Sequence, residues 1–121
     1  MKKASILIAV LVALLSFDSM AQTKFMQITT IESVIGGGIG RSRMLVTDEN
    51  GTQTEKDMQN LFSMVGINMG NVKSNDADIL TELKRYTGEG WKIASITPMT
   101  LSPGEKGGQG IFMTRYLLTK D

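Results

Sequence analysis

Ile111 to Lys120, IFMTRYLLTK, sets Phe112, Thr114, Tyr116 and Leu118 alternately against Ile111, Met113, Arg115 and Leu117. Aliphatic and aromatic residues at a spacing of two describe a half-buried strand. A lone strand is not stable in water, so the chain must supply a sheet around it. FMQITTIES, Phe25 to Ser33, places Met26, Ile28 and Thr30 on one side and Phe25, Gln27, Thr29 and Ile31 on the other. RMLVT, Arg43 to Thr47, sets Met44 and Val46 against Arg43, Leu45 and Thr47. GWKIASIT, Gly90 to Thr97, reads as a further strand, with Trp91, Ile93 and Ser95 opposite Lys92, Ala94 and Ile96. Pro98 and Pro103 then assign residues 98–110 to a loop.

Two segments carry helical spacing. In Thr54 to Val65, Met58, Leu61, Phe62 and Val65 form one apolar stripe, with Thr54 as a cap and Gly66 as a stop. In the second, Asn75 or Asp76 caps the start, and Ile79, Leu80, Leu83 and Tyr86 or Thr87 form the buried side. Gly88 is the expected left-handed stop of that helix. Residues 67–74 read as a loop or a short extended piece, and DENG, Asp48 to Gly51, as a turn. The expected fold is α+β: one small domain over residues 22–121, a mainly antiparallel four-stranded sheet with two helices packed on one face.

The start of the chain reads as a secretory signal peptide over residues 1–21. Lys2 and Lys3 precede an apolar run from Ile6 to Phe17, and Ser19-Met20-Ala21 forms a small-x-small cleavage site before Gln22. The run is short for a bilayer span. The expected destination is therefore the periplasm or the exterior, with no stable membrane insertion after cleavage. The signal carries two of the 13 basic and one of the 12 acidic residues, which leaves eleven of each and no net charge. Without a basic field, nucleic acid is not an expected partner.

No cysteine and no histidine occur anywhere in the chain. The domain must hold together without disulfides, and zinc sites built on these residues, cysteine nucleophiles and histidine triads are excluded. Met26, Met44, Met58, Met64, Met69, Met99 and Met113 are scattered along the chain, which suits adaptable core filling better than an all-thioether copper site. No cofactor is expected. DENG lacks the ligand spacing of a calcium loop, because Val46 stands where a ligand would be needed.

GGGIGRSR, Gly36 to Arg43, offers backbone freedom and arginines for an anion. A phosphate loop needs a helix after its glycines, whereas here RSRMLV reads as a strand, which makes the segment a hairpin connection. The candidate anion-binding residues are Arg41, Arg43 and Arg115. The alternative is that they pair with Glu32, Asp48, Glu49 or Glu55, or stay solvated on an outer sheet face.

ILTELKRYTGEGWKIASI followed by GIFMTRYLLTK resembles a widespread family of small bacterial domains of unknown function. The features that carry the resemblance are the amphipathic helix Ile79 to Thr87, the strand opening Glu89-Gly90-Trp91, and the closing Tyr116-Leu117-Leu118 with Lys120. TTIESVIGGGIGRSRML is similar to the start of an exported subgroup. The resemblance implies a small α+β domain and supplies no catalytic residue. The favoured expectation is an exported, non-enzymatic binding domain for a protein or cell-envelope component. A small-anion binder on the Gly36–Arg43 segment comes second, and an enzyme using carboxylates or tyrosine last, because no pair of acids has a telling spacing.

Overall fold

The computed structural model describes residues 22–34, 41–102 and 110–121. They form strands β1 (Lys24–Ser33), β2 (Arg43–Thr47), β3 (Gln53–Asp57), β4 (Phe62–Ser63) and β5 (Gly66–Ile67), helix α1 (Met69–Gly88), and strands β6 (Lys92–Leu101) and β7 (Ile111–Lys120). The main sheet has five antiparallel strands in the order β3-β2-β1-β7-β6, and β4 and β5 pair separately. β1 lies at its centre, with Ile28 opposite both Val46 and Tyr116.

The expected four-stranded sheet under two helices is corrected on both counts. Among the described residues there is one helix, and the segment expected to form the first contains β3 and β4 instead. The DENG turn redirects the chain into that extra strand. Asp48 Oδ1 accepts from the backbone N–H of Asn50 and of Thr52, each at 2.9 Å, and Gly51 takes φ +81°. Gln53 to Asp57 can then pair with β2 in register, from Thr47↔Gln53 to Arg43↔Asp57. The stripe of Met58, Leu61, Phe62 and Val65 is real as a spacing, but its members end differently. Met58 is buried in the core, whereas Val65 is 97 % exposed at the β4–β5 turn.

Helix α1 starts earlier than its apolar stripe suggests. Asn68 caps it, accepting from Asn71 N–H at 3.1 Å, and Asn75 is an interior residue with no exposed surface. The helix end is also displaced from the expected stop. Gly88 is the last helical residue, Glu89 is the cap, and Gly90 holds the left-handed conformation at φ +95°. Trp91 N–H donates to Tyr86 O and Gly90 N–H to Thr87 O, both at 3.1 Å, which closes the last carbonyls as a Schellman motif. Gly90→Ala should cost about 1 kcal/mol or somewhat more, read as a lower urea midpoint. The cost is conformational, because a Cβ at Gly90 would meet only the end of the Lys120 side chain, Cε at 3.5 Å and Nζ at 3.9 Å.

The core lies between α1 and one side of the sheet: Met26, Ile28, Met44, Val46, Met58, Trp91 and Leu118, with Ile79, Leu83, Tyr86 and Tyr116 packed against them. The expected facing of β1, β2 and β7 holds. That of β6 does not, because a register shift between Ile93 and Ser95 puts Ile93 opposite Leu118 and Ile96 opposite Tyr116, on one side. β6 also continues through Pro98 to Leu101 instead of ending at the proline. An edge strand tolerates proline because its donor on the outer side has no partner to lose.

Candidate functional site

The register distributes the three arginines. Arg41 is exposed just before β2. Arg43 stands on the sheet face away from α1, with Nε 3.5 Å from Glu55 Oε2 and NH1 in an ion pair with Asp57. Asp57 is its cross-strand partner, so the antiparallel ladder itself brings the opposite charges together. Arg115 shares that face, opposite Thr29 and Thr97, and is exposed. Among the described residues, neither Arg41 nor Arg115 has an acid within salt-bridge distance. β1 separates Arg43 from Arg115, a lateral gap of about 10 Å for two strand spacings. Residues 36–40, the glycines of the expected connection, lie outside the described residues, but β1 and β2 on either side of them do pair as antiparallel neighbours.

The face that carries Arg43 and Arg115 is the most distinctive surface of the fold. Register places Ile31, Leu45, Met99, Ile111, Met113 and Leu117 on it, mixed with Thr29, Thr47, Thr97 and Ser95. No described element lies over it, since α1 covers the other side. The alternation that identified the strands had already separated these residues from the core. What it could not reveal was that the second side would stay open.

On the helix-bearing side, an apolar pocket of about 320 Å³ is lined by Val34, Phe62, Thr100, Leu101, Ser102 and Phe112. It sits where β1 ends, under β4, and is held there by Leu61 N–H donating to Ser33 O at 2.9 Å. Its lining suits an apolar group and offers few polar atoms with which to orient one.

A second recess, beside the helix end, contains Tyr86, Glu89, Trp91 and Lys120. Lys120 Nζ donates to Glu89 O at 2.7 Å and lies 5.9 Å from the Trp91 ring centroid. The Glu89-Gly90-Trp91 motif is therefore a helix stop clamped by β7: Glu89 caps, Gly90 turns, Trp91 fills the core and Lys120 binds the exposed carbonyl.

The tyrosines bear on the enzymatic alternative. Burial holds the Tyr116 phenol above its usual value of 10.0, and Glu32 and Asp76 push it the same way. Burial also raises Tyr86, against an opposing pull from Arg85. A tyrosine shifted upward stays protonated at neutral pH and is a poor base. These shifts contribute stability that is complete below the unfolded-state value near 10.0 and is lost as pH rises through the folded-state values. The melting temperature should therefore fall above pH 10 more steeply in the wild type than in a Tyr86→Phe/Tyr116→Phe variant.

Among the described residues there is no group of three or more acidic side chains placed to hold a metal, and no helix long and apolar enough to cross a membrane. No family model, curated protein or solved structure matches the chain.

Proposed function

We propose that the chain is an exported, non-enzymatic interaction domain that binds a protein or cell-envelope component through the uncovered face of its sheet. The observation that carries this reading is that face itself, where apolar side chains from four neighbouring strands lie side by side with no described element over them. Apolar patches of this kind, rimmed by charge, mark docking surfaces. Here Arg43 with its two acids supplies charge on the β2 side, and Arg115 stands within the patch, between Met113 and Leu117. Threonines between the apolar residues give the face hydrogen-bonding groups without charge, as suits the centre of an interface.

Site-specific photo-crosslinking in the producing cell tests the reading. A photoreactive residue at Leu45 or Met113 should give a discrete adduct, and one at Lys84, on the wet side of α1, should not. Equal labelling from both sides, or none from the sheet, would remove the proposal. Export is tested separately by intact mass: the exported form should begin at Gln22, and a chain retaining Met1 in the membrane pellet would replace cleavage with anchoring.

A further inference from the structure

A different surface, the outer edge of β6, points to a second copy of the chain. Among the described residues β6 pairs only with β7, so its other side presents backbone N–H and C=O groups that no described strand takes up. All ten of its residues are exposed. Such an edge is a template for one kind of ligand, an extended strand. The side chains define the ligand further. Ile93 and Ile96 project on the helix-bearing side and Met99 and Leu101 on the open side, all of them exposed. No charge occurs between Ile93 and Leu101. Natural sheets guard long edges with charge, proline or bulges; β3, at the opposite edge, carries Glu55, Lys56 and Asp57 in five residues, whereas β6 has Pro98 and the irregularity between Ile93 and Ser95 but no charge from there to Leu101.

We propose that β6 pairs antiparallel with β6 of a second copy, joining the two sheets into one. The strand is suited to itself. In an antiparallel pair the two Lys92 side chains lie at opposite ends, so no like charges meet. Each copy brings apolar side chains to both sides of the joint, so both sides are covered at once. A two-fold axis normal to the sheet keeps the two helices on the same side and leaves a charged β3 at each outer edge. The assembly thereby closes at two copies instead of growing into a fibre. Pro98 lies within the joint and has no backbone donor to give it, so each copy contributes one hydrogen bond fewer there. Burial of Ile96, Met99 and Leu101 supplies the remainder. This inference does not depend on the reading of the open face.

The absence of native cysteine makes the test direct. A residue on the two-fold axis faces its own copy, with Cα atoms about 4.5–5.5 Å apart, within disulfide range. Single substitutions Ser95→Cys, Thr97→Cys and Met99→Cys should include one that oxidises to a crosslinked dimer, while Thr54→Cys on β3 stays monomeric. Sedimentation of the wild type should show a concentration-dependent dimer. Thr97→Lys/Met99→Lys should weaken it by at least about tenfold, because like charges then face each other across the joint. A wild type that is monomeric at every attainable concentration would overturn the proposal. So would a dimer in which no β6 cysteine crosslinks, which would place the contact elsewhere. If the lysine variant fails to fold, the cysteine series decides alone. A monomer that still gives adducts at Leu45 and Met113 would leave the open-face reading standing and remove only this one.

Discussion

Asn75→Ala is expected to lower the stability of the fold by roughly 2–4 kcal/mol, measured as a fall in urea midpoint with little change in slope. Asn75 lies in the middle of α1 with no exposed surface, and its amide acts as a piece of backbone. Its Oδ1 accepts from Gln59 N–H at 2.9 Å, and its Nδ2 donates to Gln59 O at 2.8 Å and to Glu32 Oε1 at 2.9 Å. One side chain thus pairs with an irregular segment as a strand would and ties it to both the helix and β1. A second tie lies beside it: Ser42 Oγ accepts from Ser33 N–H and donates to Asn60 Oδ1, each at 2.9 Å. Truncating Asn75 leaves the Gln59 groups and a carboxylate without their partner, which costs more than the bonds themselves contribute. Asn75→Asp separates the terms. It keeps the acceptor for Gln59 N–H but sets an anion against Glu32 and the Gln59 carbonyl, so its deficit should shrink as pH falls and the new carboxyl becomes a donor. Midpoints for Asn75→Ala and wild type that agree within error would show that this network carries no stability.

Ile28→Ala should be comparably severe, about 2–5 kcal/mol, because Ile28 is completely buried where β2, β1, β7 and α1 meet. The informative comparison is Ile31→Ala on the same strand. Ile31 faces the uncovered side and is only half-buried, so its truncation should cost about 1 kcal/mol in the free domain, near the ordinary cost of a point substitution. A difference of this size between residues three apart on one strand would establish which side of the sheet is core. Equal losses would mean that something covers the open side in solution.

The sequence was legible where residues have strong reasons to alternate. β1, β2 and β7 are flanked by other strands, and burial on the helix side selects Met26, Ile28, Met44, Val46 and Leu118 at every second position. β3 was not legible because QTEKD buries nothing. Its five residues are all exposed, and only the turn at Asp48 and the ladder with β2 make it a strand. The helix start was hidden by Asn75, a polar residue in the centre of the buried stripe, which reads as a cap when its partner in Gln59 is not visible. Pro98 hid the end of β6, since proline argues against a strand unless that strand is known to be an edge. At the candidate site, the identity of the arginines was legible but not their grouping. The Arg43–Glu55 pairing was among the alternatives considered, whereas Asp57 was obscured by its assignment to a helix.

The position of β1 has a consequence for how the chain matures. The strand nearest the start pairs along its whole length with the last one, Lys24↔Lys120 through Ser33↔Ile111. Until residues 111–120 have emerged from the ribosome, β1 has a vacant side, and of the five-stranded sheet the emerging polypeptide can hold only β3-β2-β1, with its future centre open. That fragment exposes an unpaired strand edge, a template for wrong pairing, until the segment 111–120 is delivered. A stop codon just before Ile111 would therefore strip the central strand of its longest partner and leave Met26 and Ile28 facing water where Leu118 and Tyr116 should stand.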